Sequence, residues 1–483
     1  MLLRTAEPFL PKIRLSRWLA MLAVLIIGGS ISLEIIASLR GYGVVLTLLL
    51  VLALFVAFHL FTKIAFQQSF DLFEPVHWVF LFGLIGYVAT PLYMMSTGQV
   101  SYLIKDYSLE VQTQLMIHVL VYIIVGFICF YVGYNTLIAR RIGASLPLFG
   151  TTWSSRRTRH VVILFTLIGA ISFAAYAHYG GGILFLYRNP TLRWYIFQDI
   201  PAGGYLEWGI QFFPLAIYIW FIYYLKVKRN RVFWLYTLVV SALMLMLGGR
   251  GRILGIWVTL LVLYHYLGKR LSIRRLVGFV ILVFVFLLFF SMWMEGDSEE
   301  RFAHFTYLFS GEYFGGLAPF MHIVKHVPSD IGPYFGQTFL SLFAFPIPRV
   351  VWPEKPTTAG RIILLPYYPE QGGGVGTPLV AELYLNFLIP GIIVGMLLFG
   401  VIVRTLYTYL KKNMRSRATV LLYSAVFLPW IIGLTSADFV TTTVPMLETL
   451  IVLCLALSYI TRARVRKTVK RYHMNKSLPG IQH

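Results

Sequence analysis

Two arginines each precede a glycine at the same interval. Arg193 is followed by ten residues and then Gly204, and Arg361 by ten residues and then Gly372. Gly203 stands before the first glycine, and Gly373 and Gly374 follow the second. A further group, Arg250-Gly251-Arg252, is preceded by Gly248 and Gly249, and Arg188 lies just upstream of the first pair. Guanidinium groups bind phosphate oxygens bidentately, and neighbouring glycines leave backbone N–H groups accessible. Gathered on one face, these residues would clamp a phosphate or pyrophosphate without a metal ion. Two plainer explanations stand beside this one. Arginines near helix ends snorkel to lipid headgroups, and the interval recurs by chance in a chain with 40 glycines.

The acid–base candidates are fewer. Glu382, in Ala381-Glu-Leu-Tyr-Leu-Asn-Phe387, is the first choice for a general base or for a group that positions an acceptor hydroxyl. Its alternative role is that of a structural hydrogen-bond partner capping a helix. His304 is the second catalytic candidate and Glu312 a third, although a solvated loop position suits both. The acidic run Glu295-Gly-Asp-Ser-Glu-Glu300 resembles a cation site, but such runs are usually solvated loops, and no metal is assigned. Asp438 fits a helix cap or an arginine partner. Trp194, Tyr195, Tyr205, Trp208, Trp352, Tyr367 and Tyr368 could stack on sugar faces, yet tyrosine and tryptophan also belong to any membrane interface.

The elements that must position these residues follow from composition. The chain has 483 residues, 58% hydrophobic and 12% charged, with a mean hydropathy of +0.75. Soluble domains carry about 25% charged residues, so a water-soluble fold is excluded. Apolar runs long enough for transmembrane helices fall near 18–38, 43–61, 76–96, 115–138, 160–178, 206–225, 232–248, 253–267, 276–294, 388–410, 418–436 and 443–461. They are too long for the alternating strands of a membrane barrel. The expected fold is an all-α, polytopic bundle of about twelve transmembrane helices, one domain over 1–483. Cys129 and Cys454 both lie in apolar runs, so neither a disulfide nor a cysteine zinc site is expected.

The net charge of +22 sorts by side. With the N-terminus inside, 29 of the 41 basic residues fall in inner loops and tails, as the positive-inside rule requires. Both termini are then cytoplasmic, and the positive charge is mostly topology; nucleic acid is not an expected partner. Two segments on the outer side exceed what a connector needs, 179–205 and 295–387. Within the second, 301–321 and 336–345 read as amphipathic interfacial helices. Arg188, Arg193, Arg250, Arg252 and Arg361 all fall on this outer side.

Taken together, the two Arg-x10-Gly loops, Gly248-Gly-Arg-Gly-Arg252, Trp352-Pro-Glu-Lys-Pro356 through Gly376, and Ala381–Phe387 resemble the Wzy-type O-antigen (oligosaccharide repeat-unit) polymerases. The resemblance is strongest over 245–400; elsewhere it rests on topology. It departs at Leu388, where glycine is common. It implies a lipid-dependent glycosyltransferase of GT-C type in the inner membrane, related to O-antigen ligases, with its active site facing the periplasm. Such an enzyme joins oligosaccharide units on undecaprenyl pyrophosphate, uses no cofactor, and works beside a flippase and a chain-length regulator. The arginines would stabilise the pyrophosphate leaving group.

Three competing readings differ in what they require. An O-antigen ligase shares donor and fold type but uses a lipid A-core acceptor. A transporter should place charges or broken helices at mid-membrane and have short loops on both sides. A non-catalytic scaffold would have no need of the arginines.

Overall fold

The computed structural model describes residues 43–66, 71–147, 152–188, 203–227, 231–247, 250–272, parts of 274–285, 316–345, 347, 351–364, 366 and 374–461. The expected first span, most of the ninth, and the basic tail beyond 461 lie outside the described residues. Among those described, every regular element is helical. In order they are α1 (Gly43–Phe66), α2 (Pro75–Thr97), α3 (Leu109–Tyr134), α4 (Leu137–Ser145) and α5 (Ser155–Tyr179). Then come α6 (Ile183–Arg188), α7 (Gly203–Ile210), α8 (Phe212–Val227), α9 (Arg231–Met246) and α10 (Arg250–Leu267). The last are α11 (Leu317–His326), α12 (Gln337–Ala344), α13 (Ala359–Leu364), α14 (Leu379–Lys412), α15 (Arg417–Gly433) and α16 (Phe439–Thr461).

Seven stretches are long and apolar enough to cross a membrane: α1, α2, α3, α5, α7 with α8, α14 and α16. The apolar helices α9, α10 and α15 are shorter. The chain is therefore a multi-pass membrane protein. Its outward faces fit that solvent, since Ile163, Leu164, Leu167 and Ile171 of α5 are all exposed and apolar.

Hydroxyls set several helix starts. Ser108, Thr136, Ser154 and Ser416 each accept a backbone N–H from the first turn of α3, α4, α5 and α15. This corrects the expected fourth span, 115–138. The Ser108 cap starts the helix at Leu109, and the Thr136 cap ends the run by opening α4.

The core is organised around α14, which packs most extensively on α3 and α4. Gly133 of α3 and Gly400 of α14 allow the two backbones to touch. A Cβ on Gly133 would sit 2.0 Å from the Leu397 carbonyl oxygen, and one on Gly400 2.1 Å from that of Phe130. In lipid, where the solvent is as apolar as leucine, such small-residue contacts are a main source of helix association.

The tenth span was expected at 388–410, and α14 begins nine residues earlier, at Leu379. The helix breaks at Leu388 (φ 54°, ψ −147°) just before Pro390. Hence 379–387 forms a separate buried arm ahead of the expected span. At one end of the bundle, Glu74 accepts from the Tyr134 hydroxyl (2.7 Å) and lies 3.5 Å from Arg404, while Asp71 accepts from Tyr266 and Tyr407 (3.0 and 2.8 Å). This network ties the loop before α2 to α3, α10 and α14.

Candidate functional site

The arm of α14 carries Glu382 in its first turn and Asn386 one turn later, on the same face. Both are fully buried. Glu382 Oε1 accepts the Thr338 hydroxyl of α12 at 2.6 Å, and Oε2 accepts the Phe439 N–H at the head of α16 at 2.7 Å. Asn386 donates to Thr338 Oγ1 (2.7 Å) and accepts the Gly336 N–H (2.9 Å). Backbone bonds from Tyr334 to Leu385 and from Phe335 to Asn386 dock the approach to α12 onto the same arm. Tyr384 stacks on Tyr122 of α3 and donates to the Val327 carbonyl (3.2 Å). One short motif, Glu382-x-Tyr384-x-Asn386, therefore joins four elements.

Arg361 lies on α13 against the other side of the head of α16. The Val375 N–H bonds to the Gly360 carbonyl (3.2 Å), so the end of the glycine run crosses directly over α13. A Cβ on Gly374 would lie 3.0 Å from Arg361 N, and one on Gly360 2.2 Å from the Val375 carbonyl oxygen and 3.2 Å from Asp438 Oδ2. These glycines are needed because the two backbones touch. Asp438 caps α16 by accepting the Thr441 N–H (2.9 Å), which is the cap role expected of it. It is buried, and burial pushes its carboxyl above the ordinary range. The turn 438–439 thus meets α14 through the Glu382–Phe439 bond and α13 through Gly360, the residue before Arg361.

The other arginines are placed differently. Arg252 on α10 is ion-paired with Glu207 on α7, a partner not singled out by the sequence. Arg250 opens α10 and Arg188 ends α6; their side chains lie outside the described residues, as do Arg193, His304, Glu312 and the 295–300 acidic run entirely. Trp194, Tyr195, Tyr367 and Tyr368 also lie there, while Tyr205, Trp208 and Trp352 are exposed.

A second polar group lies outside the residues that the sequence singles out. Tyr107 Oη lies 2.8 Å from His322 Nδ1 and 3.0 Å from His326 Nε2, and His326 Nδ1 is 2.6 Å from Asp330 Oδ2. Burial, with His326 nearby, lowers His322 to about 4. The spacing His322-x3-His326-x3-Asp330 was visible and matches one face of a helix, but only Tyr107, from 215 residues away, gives it a role. No three His, Cys, Asp or Glu side chains among the described residues group as a metal site.

Fold and site together define a helical, multi-pass membrane protein in which a span broken at Leu388 carries a buried carboxylate and an arginine–glycine crossing packs on the same 438–439 turn. The O-antigen polysaccharide polymerase Wzy family matches this chain over residues 18–468, nearly its whole length. The chain belongs to that family. No curated protein and no solved structure matches it.

Proposed function

We propose that the protein is the polymerase step itself, a periplasmic-face glycosyltransferase that joins undecaprenyl-pyrophosphate-linked oligosaccharide units into O-antigen or a related surface polysaccharide. What supports this reading is the glycine crossing that carries Arg361 on α13, whose Gly360 packs on Asp438, next to the Phe439 N–H that Glu382 accepts. A lipid pyrophosphate leaving group develops negative charge at the membrane surface, and a fixed guanidinium stabilises it there. Arg361 holds that role, with Arg193, Arg250 and Arg188 as further contributors from the same outer segments. Arg252 contributes less, since Glu207 already compensates its charge.

Glu382 acts as a positioning residue in this reading. A general base must reach the acceptor hydroxyl, whereas both oxygens of Glu382 are engaged inside the protein. Its carboxylate fixes where α12, α14 and α16 meet, one residue from the Asp438 that Gly360 of α13 packs against. The donor and acceptor are both lipid-linked glycans, and a chain-length regulator and a flippase are the expected partners.

A chromosomal deletion complemented with variants tests this. Loss of the gene should leave lipid A-core capped with a single repeat unit; uncapped core with accumulated lipid-linked polymer would indicate a ligase instead. Arg361→Ala should restore no ladder while inserting and expressing as wild type. A full-length ladder from Arg361→Ala would sink the leaving-group assignment.

A further inference from the structure

Away from this site, a groove of about 490 Å³ opens between α5, α8 and α9. Its α5 wall is one helical stripe, recurring every four residues from Ser155 through Arg159 and Ile163 to Leu167, with Thr166 beside it. Trp220 and Tyr223 of α8 and Tyr236 of α9 form the opposite wall. At a rise of ~1.5 Å per residue the stripe is ~18 Å long, close to the ~15 Å depth of one leaflet's hydrocarbon.

The groove is polar at one end only. Ser155 opens α5, and Arg159 is exposed at the mouth with no partner among the described residues. Its neighbour Arg157 is committed elsewhere, donating to the Tyr459 carbonyl at 3.1 Å and lying over the Tyr459 ring. Deeper in, the hydroxyls of Thr166 and Tyr236 satisfy one another at 2.9 Å, and Tyr236 packs on Trp220. The outer lip is made of Ile163 and Leu167, both more than half exposed.

We propose that this groove is a binding site for an anionic glycerophospholipid, with the phosphate at Arg159 and one acyl chain along the α5 stripe. The charge and the length each select against other occupants. A zwitterionic headgroup brings its own cation to the arginine and loses the preference, while free phosphate gains nothing from the apolar length. Burying acyl chain contributes about 0.8 kcal/mol per methylene, so chain and charge reinforce each other. Lysine- and arginine-rich pockets between membrane helices recognise anionic headgroups in this way.

The site shares no residue with the Arg361–Glu382 region and does not rest on the polymerase reading. Native mass spectrometry of the full chain in detergent tests it, using dioleoyl phosphatidylglycerol, dioleoyl phosphatidylcholine, dihexanoyl phosphatidylglycerol, inorganic phosphate and undecaprenyl phosphate as probes. The dioleoyl anionic lipid should bind at least tenfold tighter than its zwitterionic analogue, and the short-chain lipid and phosphate should fail to compete with it. Arg159→Gln should erase the tenfold preference, and Leu167→Trp, which fills the groove, should weaken both long-chain lipids. Arg159→Gln should still form polymer in cells. Equal binding of the two dioleoyl lipids, or an unchanged preference in Arg159→Gln, overturns the proposal. So does displacement of the dioleoyl anionic lipid by equimolar undecaprenyl phosphate, which would make the groove a substrate site.

Discussion

Glu382 accepts the backbone N–H of Phe439 at 2.7 Å, so a carboxylate at the head of one span fixes the entry of another. Its other oxygen holds Thr338. Removing the carboxylate leaves a buried N–H and a buried hydroxyl without their acceptor, at about 1–3 kcal/mol for each. Glu382→Ala should therefore lower thermal stability in detergent by several degrees and abolish polymer. Glu382→Gln keeps the shape and one acceptor oxygen, and should retain a shortened but visible ladder. Equal loss in both variants, with wild-type stability for Glu382→Gln, would instead assign proton transfer to this residue.

The glycine crossing makes a second prediction. Gly360→Ala places a methyl group 2.2 Å from the Val375 carbonyl oxygen, a backbone atom that cannot rotate away. The crossing must open, and Arg361 moves with it. Gly360→Ala should lose polymer to within a few fold of Arg361→Ala while its expression remains near wild type. A wild-type ladder from Gly360→Ala would separate the crossing from function.

Much of this architecture is legible in the sequence. Apolar length alone located most of the helices, because lipid forces the backbone to satisfy itself within each segment. The site was legible only as a list. Arg361, Glu382 and Asp438 each stand out by type and neighbours, but nothing in the sequence says that Glu382 bonds the residue after Asp438 or that Gly360 packs on Asp438. Glu207 was invisible because a lone glutamate beside Trp208 reads as interface, and only the fold brings Arg252 to it. Pattern also misplaced the start of α14. Its first nine residues are as apolar as a loop's buried arm, and the break at Leu388 carries no proline of its own.

Leu388 gives the third prediction. Its φ of 54° and ψ of −147° belong to a region that essentially only glycine occupies, at about 1–3 kcal/mol of strain for other residues. Leu388→Ala removes the side chain but keeps the Cβ that causes the strain. Leu388→Gly removes both, and should be more stable than Leu388→Ala by about 1 kcal/mol after the entropy of the unfolded glycine is counted. Thermal unfolding of the two variants in one detergent decides it; Leu388→Ala melting higher would mean the break is unstrained.

The Arg252–Glu207 pair is partly solvent-exposed, with side chains at 22% and 35% of full accessibility. Screening therefore holds its worth to about 1 kcal/mol or less. Arg252→Ala and Glu207→Ala should each destabilise slightly, and the double variant no more than either alone. Polymer formation should fall by less in Arg252→Ala than in Arg361→Ala, because Glu207 already compensates the charge of Arg252. A larger loss at Arg252 would move the leaving group toward α10.

The last prediction concerns pH. Burial lowers His322 from its ordinary 6.5 to about 4, so the folded protein favours its neutral form. Unfolding exposes a histidine that takes up a proton near pH 6.5. The stabilisation is complete above pH 6.5 and is lost as pH falls toward 4, reaching about 2 kcal/mol by pH 5. Thermal stability in detergent should decline over that range, and His322→Gln should flatten the decline. The Tyr107 hydroxyl, with one proton and two lone pairs, lies within bonding distance of both histidines. Tyr107→Phe should lower stability at pH 7, where it removes the bond to both rings. An identical pH slope in wild type and His322→Gln would place the titrating group elsewhere.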